Sequence, residues 1–170
     1  MKYFTFFICS LFILSAEVQA DTATSTIQGT VPDSEIYGTA KFEDTSDGLS
    51  VEIELFGAPA GDHGIHVHEF GSCDDKGSAA GGHFNPDKSP HGFLPKDSLK
   101  GAHAGDFGNI KIGADGHGIL RLTLPGLEAK AGNHGVAGRA IVLHEKPDDF
   151  GQPTGNAGSR IACGPIRIEK

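Results

Sequence analysis

Short stretches of alternating apolar and polar residues, separated by turns, constrain the fold of this chain most. The stretch from Ser50 to Phe56 has apolar residues at 51, 53 and 55 with glutamates between them, and the stretch from Gly118 to Leu124 also alternates. Side chains on a β-strand point alternately to opposite faces, so each stretch predicts a strand with one buried face.

Shorter alternating segments occur at residues 109–112 and 165–169, residues 26–31 and 37–42 make a plausible opening pair of strands, and residues 140–144 form an apolar strand. Asp47-Gly48 and Asp115-Gly116 favour hairpin turns, and Pro125-Gly126 predicts the end of a strand. No amphipathic pattern of helical length appears. We therefore predict an all-β fold, an antiparallel β-sandwich or barrel of about eight strands.

Two long stretches depart from this pattern. Residues 71–107 and 145–160 are rich in Gly, Pro, Asp and Ser and show no apolar periodicity. A loop of more than about thirty residues is uncommon in a compact domain and is usually functional or disordered. The first stretch contains several histidines and Cys73, so a metal and a disulfide could order it, and disorder is the alternative.

The N-terminus predicts export. Lys2 precedes an apolar run from Tyr3 to Leu14, and small residues stand at the −3 and −1 positions of a cleavage site after Ala20. We predict a signal peptide at residues 1–20 and one domain at residues 21–170, in the periplasm or outside the cell. An oxidising compartment favours a disulfide between the two remaining cysteines, Cys73 and Cys163.

The charge balance argues against one class of partner. The formal net charge is −8, and the sequence has no basic runs. Nucleic-acid-binding proteins concentrate positive charge, so we expect no nucleic-acid partner. The apolar run at the N-terminus is too short for a membrane span, so we expect no membrane association after signal cleavage.

An unusual density of histidines points to metal binding. His66 and His68 are two residues apart, so on a strand both imidazoles point to one face. The further candidate ligands are His83, His91, His103, Asp106 and His144. Imidazole-rich sites without thiolates suit copper or zinc. Two sites follow most simply, one with several histidines for a redox copper and one with histidines and a carboxylate for tetrahedral zinc.

Other histidines serve as a contrast. His63, His117 and His134 each lie beside a glycine in turn-like sequence, which is typical of surface or hydrogen-bonded residues, and we assign them no role. His144 differs because it closes the apolar stretch 140–144, where an unpartnered imidazole is costly to bury.

Five motifs in order make the chain resemble the copper/zinc superoxide dismutases. They lie at residues 64–71, 81–86, 103–109, 143–149 and 155–164, so the resemblance covers essentially the whole chain after the signal peptide. It implies an eight-stranded antiparallel Greek-key β-sandwich or barrel with two long functional loops. It also implies an enzyme that converts superoxide to dioxygen and hydrogen peroxide.

The resemblance assigns metal ligands residue by residue. The copper ligands would be His66, His68, His83 and His144, and the zinc ligands would be His83, His91, His103 and Asp106. One copper and one zinc ion per subunit are implied, with His83 as a bridging imidazolate. In this family copper cycles between Cu(II) and Cu(I), the bridging histidine takes up and releases a proton, and zinc is structural.

Further roles follow from the same motifs. Asp148 corresponds to the carboxylate that hydrogen-bonds one ligand from each site, here His66 and His91. Arg160 corresponds to the guanidinium that guides the superoxide anion to copper. The two cysteines correspond to the intrachain disulfide. Members of the family form dimers through different surfaces, so a homodimer is one expected assembly.

One segment departs from the familiar cytosolic members. The stretch from His144 to Arg160 is shorter and contains a single lysine, Lys146. In the family this segment steers superoxide electrostatically, so the rate and its salt dependence do not follow from the resemblance.

Two alternatives come from other functional classes. The first is an exported protein that buffers or delivers copper and zinc without turnover, and Arg160 with the complete ligand set argues against it. The second is a β-sandwich interaction module, which would leave the histidines unexplained.

Overall fold

The fold is an antiparallel β-barrel. The computed structural model describes residues 20–169, so the predicted signal peptide lies outside the described residues except for Ala20. The strands are β1 (Thr22–Gly29), β2 (Tyr37–Thr45), β3 (Gly48–Phe56), β4 (Gly61–His68), β5 (Asp106–Ile112), β6 (Gly118–Leu124), β7 (Ala140–His144), β8 (Arg160–Pro165) and β9 (Arg167–Ile168).

Strand pairing closes the sheet on itself. The order is β5-β4-β7-β8-β1-β2-β3-β6, with the short β9 beside β1, and the pairings are antiparallel. β5 and β6, at the two ends of this order, contact each other, which leaves a nearly closed barrel. The chain crosses the barrel between β3 and β4 and between β6 and β7, as Greek-key connections do. The predicted all-β fold of eight main strands is confirmed.

The predicted bounds of two strands agree with the structure. β6 and β7 match the predicted segments 118–124 and 140–144. The predicted strand at 165–169 is wrong in extent, because β8 begins at Arg160 and only the two-residue β9 lies beyond Pro165. Pairing with β7 decides this, since Cys163 stands opposite Val142 in a segment without alternation.

The first long stretch contains helical segments that the sequence pattern did not predict. They are α1 (Leu94–Gly101) and a 3-10 turn at Ser78–Ala80. Pro95 stands in the first turn of α1, where its fixed φ favours a helical start. Only Leu94 of this helix is buried, so no apolar periodicity marks it. Within residues 20–169, no helix is long and apolar enough to cross a membrane.

Burial differs between the two sides of the barrel. On β2 and β3, inward residues such as Phe42 and Ile53 are fully buried and alternate with more exposed outward neighbours. On β7 every residue is buried, and on β4 the last six are. Inward residues such as Ile65 and Ile141 join the barrel core, so their outward neighbours are buried by the long loops.

A disulfide holds the first long loop against the barrel. Cys73 and Cys163 are bonded across 90 residues of sequence, which confirms the predicted pair. They pack with Ala80, Ala140 and Val142 in a small apolar cluster separate from the main core. The loop therefore covers the outer face of β7 and β8 with its own apolar contacts.

Candidate metal centre

β4 and β7 carry three of the predicted ligands on their outward faces. His66 and His68 alternate with Ile65 and Val67, which belong to the barrel core. His144 ends the neighbouring β7. Because the two strands are paired, the three imidazoles meet outside the barrel, and none is more than 6% exposed.

The first long loop brings the remaining predicted ligands to the same surface. His83 forms an isolated bridge with His68. Asp106 begins β5 opposite His66, across a β-bulge of the kind that often re-aims side chains beside functional sites. His91 and His103 complete the set and are buried.

Two groups of four side chains could each hold a metal ion. In each group, one candidate ligand atom per residue lies within 4.8 Å of all the others. The first group is His66, His68, His83 and His144, and the second is His83, His91, His103 and Asp106. The structure thus brings together the residues of both predicted sets, with His83 in each.

Burial keeps three of these imidazoles neutral, as metal ligands must be. It lowers the pKa of His68 to about 2, with a further contribution from His83, and the pKa of His144 to about 3, with a contribution from His66. Burial also dominates at His83, where it lowers the pKa to about 4 although Asp106 opposes the shift.

Backbone carbonyls fix the tautomers of two rings in the first group. His68 Nδ1 lies 3.0 Å from the Gly81 carbonyl oxygen, and His144 Nδ1 lies 3.2 Å from the Gly158 carbonyl oxygen. A carbonyl only accepts, so both Nδ1 atoms carry a hydrogen. The two Nε2 atoms of the neutral rings are then bare, yet they face each other at 3.3 Å. Two lone pairs at this separation suit a cation bound between them.

One buried nitrogen, His66 Nδ1, has no hydrogen-bond partner within the described part of the chain, whereas His91 Nδ1 contacts only the carboxylate of Asp106, at 2.9 Å. The Nε2 atoms of the same rings lie 2.8 Å and 3.0 Å from Asp148 carboxylate oxygens. Orphaned buried nitrogens are costly and rare in native proteins. A metal ion in the first group would satisfy His66 Nδ1, and one in the second would be bound by the imidazoles together with the Asp106 carboxylate, so the donor sets fit copper and zinc.

Asp106 is the centre of the second group. Its Oδ1 lies 2.8 Å from His83 Nδ1 and 3.1 Å from His103 Nδ1, and its Oδ2 lies 2.9 Å from His91 Nδ1. Backbone N–H groups of Gly92 and His103 also donate to Oδ2. Burial alone would favour the neutral acid, but these contacts hold the pKa of Asp106 far below its usual range. The group therefore carries the negative charge that a divalent ion requires.

Asp148 connects the two groups. Its carboxylate accepts hydrogen bonds from His66, His91 and the backbone N–H of Phe150, and these bonds outweigh burial and lower its pKa. At His91 burial would lower the pKa, but the carboxylates of Asp106 and Asp148 raise it to about 9. Metal binding at His91 would therefore release a proton.

Two residues that support the site escaped sequence analysis. The Asn109 side chain accepts a 2.7 Å hydrogen bond from the Asp148 N–H and donates one of 2.9 Å to the Asp148 carbonyl. Gln152 makes the equivalent pair with the backbone of His91, at 3.0 and 2.7 Å. Their partners are 39 and 61 positions away, and no sequence pattern marks a side chain that binds a distant backbone.

The three histidines assigned no role lie outside both groups. His63 is buried, and each of its ring nitrogens lies 2.9 Å from a carbonyl oxygen, of Pro59 or of His144. His117 and His134 are partly exposed, and each pairs with a surface carboxylate.

An open cavity of about 530 Å³ leads to the first group. Its lining includes His68, His83 and His144, together with Lys146 and Arg160. The Arg160 guanidinium donates hydrogen bonds to backbone carbonyls of the first long loop. A permanent positive charge is thus held beside the candidate metal ligands.

The sequence is similar to those of known proteins. The family profile described as "Copper/zinc superoxide dismutase (SODC)" matches residues 36–166. The chain is 40% identical over 145 residues to "Extracellular superoxide dismutase (Cu-Zn)" of Caenorhabditis elegans, which covers 81% of this chain and 63% of that protein. It is 39% identical over 137 residues to "Superoxide dismutase (Cu-Zn) 5" of Dictyostelium discoideum. That alignment covers 76% of this chain and 88% of that protein. The match thus spans less than two thirds of the first relative.

The fold also matches a solved structure. The crystal structure of the clock protein EA4 superposes with a TM-score of 0.77 at 34% identity, over 92% of this chain and 100% of that one. The family profile covers most of the residues that form the barrel and both histidine groups. The chain therefore belongs to the copper/zinc superoxide dismutase family, whose metal ions are copper and zinc.

Proposed function

We propose that this protein is a superoxide dismutase, converting two superoxide anions and two protons to dioxygen and hydrogen peroxide. The observation that carries the proposal is the pair of adjacent ligand groups that share His83 and open onto a cavity beside Arg160. The names of the two relatives support the same activity.

The ligand sets support a division of metals. The four-histidine group would hold copper, and the group containing Asp106 would hold zinc, one ion of each per subunit. Bound copper would supply the one-electron redox change that the reaction needs, and bound zinc would be structural.

His83 would serve both groups and handle a proton. Its Nδ1 contacts Asp106 in the second group, which leaves Nε2 for the first group, so the ring would bridge the two sites as an imidazolate. Because the ring also lines the open cavity, its Nε2 would take up and release one of the two protons that hydrogen peroxide requires.

Arg160 and Asp148 would act without ligating metal. Arg160 would dock the substrate anion, with Lys146 adding positive charge at the same cavity of a chain whose net charge is −8. Local positive charge of this kind can raise association rates by factors of about 10–10³. Asp148 would be a positioning residue that orients His66 and His91.

We also propose that the protein is exported, with a signal peptide at residues 1–20 and a domain at residues 21–170. The Cys73–Cys163 disulfide and the extracellular relative from Caenorhabditis elegans support export, to the periplasm or outside the cell. A homodimer is a further proposal, with no surface assigned to it.

The decay of superoxide, measured by stopped flow with the copper- and zinc-loaded protein at two salt concentrations, tests the proposal. We expect fast, metal-dependent decay that slows as salt screens the charges around the cavity. Arg160→Glu should slow the reaction strongly while the copper content stays constant, and Arg160→Lys, which keeps the charge, should slow it less. Loss of copper from both variants would make Arg160 structural.

The same measurement addresses the alternative. A slow decay that does not depend on bound metal would rule out the dismutase and favour an exported copper- and zinc-binding protein that buffers or delivers metal.

A further inference from the structure

A second cavity, of about 760 Å³, adjoins the one that leads to the histidine groups. Gly158 and Arg160 line both cavities, so they form a shared wall. The dismutation proposed above makes no use of this second cavity. Its volume falls within the range of about 300–1,000 Å³ that is typical of small-molecule sites.

One side of the second cavity is apolar. It is formed by Val31, Ile36, Pro59 and Ile161. Val31 is 46% exposed, although most aliphatic side chains of this barrel are buried. An exposed aliphatic side chain within a concave apolar surface is a feature of ligand-binding sites.

The other side of the cavity is polar and locally positive. Lys76 and Arg160 contribute two positive charges against one negative charge from Glu145, whereas the whole chain carries −8. Hydroxyl groups of Thr30, Ser34, Ser78 and Ser159 also line it. This charge pattern is complementary to an anion.

Lys76 lies in a backbone segment with an energetically unfavourable conformation. Asp75, Lys76 and Gly77 have consecutive φ values of 52°, 55° and 81°, which is the left-handed region that residues other than glycine disfavour. The Gly77 N–H donates to the Cys73 carbonyl, and the Gly77 carbonyl accepts from Arg160. Backbone strain of this kind persists only where surrounding contacts hold the conformation in place, and it is found most often at functional sites.

We propose that the second cavity binds a small carboxylate with an apolar tail, of the medium-chain fatty-acid type. The carboxylate would lie near Lys76 and Arg160, and the tail would lie along Val31, Ile36 and Ile161. The binding itself is independent of the dismutase activity. A bound carboxylate would also offset the charge of Arg160 and slow dismutation, and that consequence rests on the proposed function.

Calorimetric titration of the metal-loaded protein with octanoate tests the site. We expect saturable binding with one octanoate per chain, weaker binding of butyrate because its tail is shorter, and no binding of octylammonium because its charge is reversed. No saturable binding of octanoate, or equal binding of octylammonium, would overturn the proposal.

Two variants of cavity residues and one control test where octanoate binds. Lys76→Gln should weaken binding about threefold to fivefold, the size of an exposed ion pair. Val31→Asp should weaken it about tenfold or more, since it places an unpaired carboxylate against the tail. Lys88→Gln is the matched control, because Lys88 is also exposed with a φ of 57° but does not line the cavity, and it should bind normally.

Lys146→Gln separates the two cavities, because Lys146 lines only the one above the histidines. It should leave octanoate binding unchanged. If Lys146→Gln weakens binding and Lys76→Gln does not, octanoate occupies the other cavity and the proposal fails. Since binding is measured directly, this failure would leave the dismutase proposal unaffected, and a protein without dismutase activity could still bind octanoate.

Discussion

The two sides of the barrel follow the same alternation with different consequences. On the open side, formed by β2, β3 and β6, outward residues such as Glu52 and Arg121 meet solvent. On the site side, formed by β4, β5 and β7, outward residues such as His66 and His144 are buried. The candidate site therefore lies on the outer face of the barrel, which the long loops cover and bury.

The two sides of the barrel are stabilised by different interactions. The open side needs only the apolar core within the barrel. The site side also buries six candidate histidine ligands and two carboxylates, which is costly unless metal ions, hydrogen bonds and the disulfide compensate. We therefore expect changes on the site side to have large effects and changes on the open side to have small ones.

The largest effect is expected from His83→Ala. Because His83 belongs to both candidate ligand groups, its loss should lower the proposed dismutase activity by about 100-fold or more and weaken both metal sites. Superoxide decay and metal content by elemental analysis measure the two effects. His117→Ala, on the open side, is the control and should change neither. Unchanged zinc affinity would remove His83 from the bridging role.

Removing the disulfide should have the next largest effect. The double variant Cys73→Ser/Cys163→Ser opens a loop of 90 residues, which lowers the free energy of unfolding by about 4.6 kcal/mol in the chain-entropy model. Denaturant titration measures the loss, and hydrogen exchange shows where it falls. Residues 71–107 should exchange faster while β2 and β3 keep their protection. Equal loss of protection on both sides would contradict the comparison.

Acid should destabilise the metal-free protein by an amount that depends on the buried imidazoles. The folded-state pKa values of His68, His144 and His83 lie near 2, 3 and 4, below their ordinary 6.5, so the unfolded chain binds more protons. Their contribution is complete above pH 6.5 and is lost as the pH falls from 6.5 through the three folded-state pKa values, the lowest of which is about 2. His91, with its pKa raised to about 9, acts oppositely and loses its contribution as the pH rises through 9.

Thermal unfolding of the chelator-treated protein should therefore show the highest Tm near neutral pH and a lower Tm at pH 4.5. A Tm that is constant or higher at pH 4.5 would mean that these imidazoles are not buried without metal.

The smallest effect is expected from the open side. Glu52→Ala removes a 2.6 Å ion pair with Arg121 whose side chains are 52% and 64% exposed. Such exposed pairs contribute at most about 1 kcal/mol, so the free energy of unfolding should change little and the metal content not at all. Loss of bound metal in Glu52→Ala would show that the two sides are coupled.

The sequence predicted the features that depend on residues close together in the chain, such as strand positions and side-chain direction. Alternation located β3 and β6, and a continuous apolar run located β7. Strand periodicity placed His66 and His68 on a common face, because side-chain direction on a strand is a local property. The absence of periodicity marked both long loops. The order of the five motifs identified the family.

Only the tertiary structure decided which faces became interior. The long loops, the first of them held by the disulfide, cover the outer face of β4 and β7, so alternation there does not separate buried from exposed residues. Pairing with β7 set the start of β8, and Asn109 holds Asp148 from 39 positions away. These contacts join residues that are distant in sequence. They form only when the barrel has closed, so no local sequence pattern predicts them.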